Sequence, residues 1–454
     1  MASAAEQLAA NINFGAFAKA EELKARIWFT LGALIVARIG AYIPLPGIDS
    51  AAFAAIFSQH SGGVLGMVDM FAGGAISRMT VFALGIMPYI SASIIMQLLT
   101  SVSPQLEAWK KEGESGRKKI NQYTRYGTVA LAIVQSIGMA NGLQSMAGPS
   151  GGAVINPGWP FVALTMVTLT CGTMFLMWLG EQITARGIGN GISLIIFAGI
   201  VSRLPTSLGQ LLEQLWAGSI SGITVLVFGV VAVAAITAIV FFERAQRRLI
   251  VQYPKRQVGN RMFGGESSHL PMKLNASGVI PPIFASSILL LPLTIAGFTG
   301  NQDAAGTGLF AESMQWLLLH FGHGRPLYIA TYIALIVFFA FFYTAIVFNP
   351  EDTADNLKKH GGFLPGIRPG KNTAEYFDYV LTRLTVVGAG YLAVICALPE
   401  ILIANYAMPF YFGGTSLLIV VSVTMDTVAQ IHSHLLAHQY EGLLKKSKLK
   451  GRRG

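Results

Sequence analysis

Continuous apolar runs, rather than alternating ones, organise this chain. Runs long enough to cross roughly 30 Å of hydrocarbon begin near Ile27, Thr80, Gly127, Trp159, Ile188, Ser219, Ser277, Leu327, Leu381 and Pro409. Ten spans are expected, all helical, because a helix satisfies its own backbone hydrogen bonds in lipid. Residues 1–26 precede the first run and are polar and Ala-rich. There Ile12, Phe14, Phe17 and Leu23 suit either a disordered lead-in or an amphipathic helix on the membrane surface. The first run continues past Val36 to Ile43 without a small-residue cleavage site and reads as a retained helix.

Composition fixes the solvent. Hydrophobic residues make up 53% of the 454 and charged residues 12%, with a mean hydropathy of +0.56. Ordinary soluble domains carry roughly 25% charged residues, so a chain with so few cannot cover itself for water. Disordered, collagen-like and secreted disulfide-rich classes are excluded as well. Cys171 and Cys396 both lie inside apolar runs, where a thiol is core filler.

Charge fixes the orientation. An even number of spans puts both termini on one side, and that side receives 27 of the 32 Lys and Arg residues. By the positive-inside rule that side is cytoplasmic. Two cytoplasmic loops, 243–274 and 349–380, are longer than connection requires and unusually basic, with Gly/Pro-shaped turns. They are expected to dock something large and negatively charged. The tail, 432–454, is basic too.

The second and seventh runs share a pattern. GIMPYISASIIM (85–96) and GVIPPIFASSIL (278–289) coincide at Gly85/Gly278, Pro88/Pro281, Ile90/Ile283, Ala92/Ala285, Ser93/Ser286 and Ile95/Ile288. Five spans separate the copies, so they run in opposite senses, which is the pattern of an inverted repeat of five helices plus five. Between the first two spans, GGVLGMVDMFAGGAISR (62–78) is too apolar for a free loop, too glycine-rich for a stable helix and too short to span. It fits an interfacial re-entrant turn or a mobile segment folded in among the spans.

Enzyme motifs fail. Gly366-Ile-Arg-Pro-Gly370-Lys371 has three residues between its glycines rather than four and no Ser/Thr after the Lys. Gly187-x-Gly189-x-Gly191 has the wrong third spacing for a dinucleotide site. His432, His434 and His438 have no carboxylate beside them and read as interface histidines rather than metal ligands. No catalytic residue, metal site or cofactor is expected. Arg38, Asp426 and Arg383 are the main charges within spans, and none has an evident partner in sequence. That scarcity counts against an ion-driven small-molecule transporter, which the inverted repeat alone would allow. An intramembrane hydrolase would need a catalytic pair that cannot be found.

Five long segments carry a resemblance: GEQITARGIGNGISLIIFAGIVSRLP (180–205), FALGIMPYISASIIMQLL (82–99), LPMKLNASGVIPPIFASS (270–287), NPEDTADNLKK…PGIRPG (349–370) and FYFGGTSLLIVVSVTMD (410–426). Together they closely resemble the bacterial branch of the SecY/Sec61-alpha family of protein-translocation channels, from about residue 20 to the C-terminus. The departures are an extended N-terminal lead and a Gly/Asp-bearing outer loop at 299–325.

The resemblance implies an all-α, polytopic fold of ten transmembrane helices, in two inverted halves around a central pore. The halves would be 27–205 and 206–431, after a cytoplasmic segment at 1–26. It implies an aliphatic pore ring of Ile86, Ile90, Ile192, Ile196, Ile283 and Ile419; the i, i+4 spacing of 86/90 and 192/196 supports shared helix faces independently. It implies a plug over 62–74, with Gly62, Gly63, Met67, Met70, Phe71, Gly73 and Gly74, and polar gate residues Gln97 and Asn190. Lys255, Arg256, Arg261 and Arg368 would meet a motor or ribosome. The partners implied are the small membrane subunits SecE and SecG, the SecA ATPase, the ribosome, signal peptides, unfolded preproteins and membrane lipids, but no DNA. The location implied is a bacterial inner membrane.

Overall fold

The computed structural model describes residues 20–60, 69, 72–145, 147–148, 151–218, 220–253, 256–258, 261–263, 267–299, 325–406 and 414–450. The chain is mainly helical: α1 (Glu21–Gly40), α2 (Ser50–His60), α3 (Met87–Val102), α4 (Pro104–Lys111), α5 (Glu114–Ser145), α6 (Trp159–Arg186), α7 (Gly191–Trp216), α8 (Gly222–Arg244), α9 (Ile280–Thr299), α10 (Pro326–Val347), α11 (Pro350–Lys359), α12 (Lys371–Tyr406) and α13 (Gly414–Lys450). Among the described residues, α6, α7, α8, α10, α12 and α13 are long and apolar enough to cross a membrane, and α3 and the start of α9 are shorter apolar helices. α8 buries Ile239 but exposes Ile223, Leu226, Val227, Val230 and Val233, a surface suited to hydrocarbon.

Helix starts differ from the apolar runs in five places. The first run begins near Ile27, but α1 begins at Glu21. The second run begins near Thr80, but α3 begins at Met87. Thr80 forms an antiparallel bridge with Pro44 instead, with Leu45 N donating to Met79 O at 2.9 Å and Val81 N to Ile43 O at 3.0 Å. Gly85, at φ +57, then turns the chain, and Pro88 fits the first helical turn, where its missing N–H is no loss.

The third run begins near Gly127, yet α5 extends back to Glu114. Its polar extension forms a hairpin with α4. Gly113 turns at φ +79, Trp109 stacks on Tyr123 at 5.6 Å, and Lys119 pairs with Glu112 at 3.3 Å. On α4, Lys111 beside Glu107 holds that carboxyl below its usual range. α12 starts at Lys371, not near Leu381, because its first turns cover a small core described below. α13 begins at Gly414, whereas residue 409 lies outside the described residues.

The two copies of the repeated pattern share a backbone device. Gly278 is left-handed at φ +62, like Gly85, and α9 starts two residues later at Ile280, as α3 starts two residues after Gly85. A second pair shares a different device, a closely packed glycine as the first helical residue. α7 starts at Gly191 and α13 at Gly414, in GISLII and GTSLLI. A Cβ on Gly191 would lie 2.0 Å from the Gly180 carbonyl of α6, and one on Gly414 would lie 1.9 Å from the Ile395 carbonyl of α12. Only glycine permits backbones that close.

The chain forms two compact units. One takes the chain up to Pro205 together with the part from Val423 onward, and the other takes most of Thr206–Ser422. In the first, α5 packs on α6 and α3, and Arg125 grips Glu181 with two hydrogen bonds of 3.1 and 2.6 Å. In the second, the two long loops fold together. The strand Gln246–Gln252 pairs antiparallel with the strand Ser267–Lys273, and the strands Arg256–Val258 and Arg261–Phe263 pair between them. Gln252 exchanges two 2.9 Å backbone hydrogen bonds with Phe363 of the other loop. Leu249, Met272, Ala354, Leu364, Ala374 and Phe377 form the shared core.

Candidate functional site

The isoleucines named above sit at helix starts. Ile86 caps α3, and its carbonyl accepts from Ile90 N at 3.1 Å, so the two side chains rise along the first turn. Both are buried, as is Ile196, while Ile192 is half-buried. α7 is held in place by its cap: Asn190 Oδ1 accepts from Ile192 N at 3.1 Å and Ser193 N at 3.4 Å. In the second unit, Ile283 is half-buried and Ile419 buried. Ile90 and Ile283 are each the fourth residue of their helix, and Ile196 and Ile419 each the sixth.

The loop before α7 is tied down on three sides. Thr30 Oγ1 accepts from Ile188 N at 3.1 Å, Gln430 Oε1 from Gly189 N at 2.8 Å, and Thr184 Oγ1 from Gly191 N at 2.9 Å. Asn190 is therefore a helix cap with an exposed side chain. Gln97 is half-buried on α3, where its Nε2 donates to Ser93 Oγ at 3.3 Å.

Of the glycine-rich segment, Asp69 and residues 72–80 are described; Gly62, Gly63, Met67, Met70 and Phe71 lie outside the described residues. Asp69 is 0% exposed. Its Oδ1 accepts from Ser77 N at 2.7 Å, and its Oδ2 faces Arg203 Nη2 of α7 at 2.5 Å, as an ion pair rather than an aligned hydrogen bond. Arg203 Nη2 also donates to Ser77 Oγ at 3.2 Å, and Arg38 Nη1 of α1 donates to Gly73 O at 3.1 Å. Gly73 and Gly74 turn at φ +65 and +84. A Cβ on Gly73 would lie 2.7 Å from the Gly199 Cα, so the segment lies directly on α7. Arg38 thus meets a carbonyl of this segment and also lies over the Tyr42 ring at 5.9 Å. The Asp69–Arg203 pair was not legible in sequence: both residues lie in segments quoted above, 62–78 and 180–205, but these lie far apart and nothing in their patterns joins them.

Arg368 is exposed on a tip between Gly366 (φ +83) and Gly370 (φ +107), and its carbonyl accepts from Thr373 Oγ1 at 3.0 Å. Arg256 and Arg261 lie on paired strands, with Arg256 opposite Phe263 and Val258 opposite Arg261. Lys255 lies outside the described residues. Arg383 stacks over Tyr379 at 4.3 Å, and Asp426 is exposed on α13. Among the described residues, no group of three His, Cys, Asp or Glu side chains gathers as a metal site would require.

Apolar helices, a short segment pinned against two of them and a basic folded platform define a polytopic helical membrane protein with the fold of protein-conducting channels. Two solved structures share that fold. One is a SecY protein whose plug domain is described as stabilising the closed state of a translocation channel (TM-score 0.64, 18% identity, covering 90% of this chain and 92% of that one). The other is Sec61 in a canine ribosome–channel complex from the endoplasmic reticulum (TM-score 0.61, 18% identity, 90% and 92%). A family model for SecY matches residues 80–428. The protein translocase subunit SecY of Escherichia coli K12 is 56% identical over 433 residues, 95% of this chain and 96% of that one. The chain belongs to the SecY family. It is a channel subunit of a protein translocase and not an enzyme by itself.

Proposed function

We propose that the chain is the pore-forming subunit of its translocase. Ten spanning helices in two inverted halves, residues 27–205 and 206–431, would surround a pore that passes unfolded preproteins and releases signal and transmembrane segments sideways into lipid. One observation carries this reading: α3 and α9 share one glycine device at their starts, α7 and α13 share another, and the members of each pair lie five long helices apart. Inverted repeats commonly place the permeation path at their interface. Ile86, Ile90, Ile192, Ile196, Ile283 and Ile419, all in the first turns of these four helices, form the constriction in this reading. A ring of apolar side chains excludes ions by dewetting and still yields to a passing chain.

The segment 62–74 is the plug in this reading, and Gln97 and Asn190 help to set when the lateral gate opens. The basic platform, with Lys255, Arg256, Arg261 and Arg368, docks the SecA motor or a ribosome; SecE and SecG complete the channel in a bacterial inner membrane. Both termini and the tail 432–454 are cytoplasmic, on the evidence of the Lys and Arg distribution.

The gate is tested with cysteines. In a chain with Cys171 and Cys396 replaced by Ala, cysteines at Ser91 on α3 and Ser286 on α9 are expected to crosslink in the idle protein. The bridge is expected to block export until it is reduced. Full export after confirmed crosslinking would remove the gate from the account.

A further inference from the structure

We propose that Asp69 and Arg203 form an electrostatic latch, a positioning pair that holds the 69–80 segment on α7 and sets how strong a signal sequence must be to open the channel. The proposal rests on reading that segment as part of the plug. A carboxylate with 0% exposure is tolerated because a cation and a backbone N–H meet it. These two groups differ in kind. Ser77 N–H lies on the same segment and travels with Asp69, whereas Arg203 belongs to α7 and stays behind.

The turn is closed on itself without Arg203. Gly74 N donates to Asp69 O at 2.9 Å, and Ser77 Oγ donates to Gly74 O at 3.0 Å. The ion pair is therefore not needed to shape the segment, and its effect is to attach it. The other links described, from Arg38 to the Gly73 carbonyl, from Arg203 to Ser77 Oγ and from Leu45 N to the Met79 carbonyl, are all to neutral acceptors. Displacing the segment means parting Arg203 from a fully buried carboxylate, so the latch adds to the gap between closed and open states. A signal sequence opens the channel only by as much as it binds the open state better. A smaller gap admits weaker signals.

The test is the resting ion conductance of the full chain, purified with the membrane subunits that accompany it and reconstituted in planar bilayers. Each variant is first matched to the parent in membrane level. Arg203→Gln leaves a buried carboxylate without its cation and is expected to raise the open fraction about tenfold or more. Asp69→Asn has a smaller effect, because the Arg203 side chain is 35% exposed and still reaches Ser77. The double variant carries neither charge and is expected to leak less than Arg203→Gln alone, the sign of direct coupling. Arg203→Lys keeps the charge but loses the planar fork, so it falls between the parent and Arg203→Gln. Export of a preprotein with a shortened apolar signal follows the same order.

A double variant that leaks as much as Arg203→Gln overturns the latch, as does a set of variants that all match the parent. Gly73→Val separates that failure from failure of the plug reading, because its side chain collides with Arg38 and with α7 and displaces the segment whether or not the ion pair helps to hold it. If Gly73→Val leaks while the charge variants stay silent, the latch is wrong and the plug stands. If Gly73→Val is silent as well, the plug reading falls and the latch with it.

Discussion

Replacing Ile86, Ile90 and Ile283 together with serine is expected to raise the resting ion conductance of the closed channel at least about tenfold. Ile86 and Ile90 are buried on one rising turn at the start of α3, and Ile283 holds the same helix position in α9 as Ile90 does in α3. Burying an isoleucine is worth about 1.5–3 kcal/mol of water exclusion, and 1.4 kcal/mol already corresponds to a factor of ten. Three hydroxyls in place of three apolar ends therefore make a wet constriction much easier to form. Ile94, buried further along the same helix, is the control. Its serine variant is expected to lower the membrane level of the protein rather than to leak. Single-channel recordings on matched amounts decide the matter. A triple variant that conducts like the parent would show that the ring is assigned to the wrong residues.

Arg368→Glu is expected to reduce ATP-driven translocation about thirtyfold or more while leaving the folded channel intact. The tip that carries Arg368 is fixed from both ends. Leu364 is buried in the shared core, Thr373 hydrogen-bonds back to the Arg368 carbonyl, and Pro365 and Pro369 stiffen the turn. The side chain itself is exposed. Its loss removes nothing from the core, and surface substitutions of that kind change stability by about 0.5 kcal/mol or less. Docking is another matter: reversing a charge that meets a partner's carboxylate or phosphate costs about 2–5 kcal/mol. Arg368→Lys keeps the charge without the bidentate fork and is expected to retain part of the activity. The assay is translocation into vesicles with the SecA motor and ATP, at verified membrane levels. Parental transport by the Glu variant would make Arg368 an ordinary solvated arginine.

The sequence carried the helices well and their starts less well, for identifiable reasons. Apolar length reports how much chain suits hydrocarbon but not where a helix begins. Thr80 was placed in a span by its apolar neighbours, yet its backbone is taken by the bridge to Pro44. The shared Gly85/Gly278 and Pro88/Pro281 mark a real backbone feature, the start of a helix. The second repeated pair, GISLII and GTSLLI, stood in the sequence as plainly as the first. Comparing runs five spans apart throughout would have found it. The loop platform was legible only as charge, because its core forms from residues of two loops on either side of α9 and α10. Asp69 and Arg203 could not be paired by any local pattern, since what joins them is the close approach that Gly73 allows against Gly199. Asn190 and Gln97 came from the resemblance; the structure gives Asn190 a capping role at α7 and Gln97 a bond to Ser93.

The central claim is that a polypeptide passes the isoleucine constriction, and arresting one in transit tests it most directly. Single cysteines at Ile90, at Ile196 and at exposed Val230 on α8 are placed in a chain lacking Cys171 and Cys396. Each is then challenged with a preprotein stalled midway that carries one cysteine of its own. Disulfide adducts are expected at Ile90 and Ile196 and not at Val230. Adducts at Val230 with none at Ile90 or Ile196 would place the path elsewhere and contradict the account.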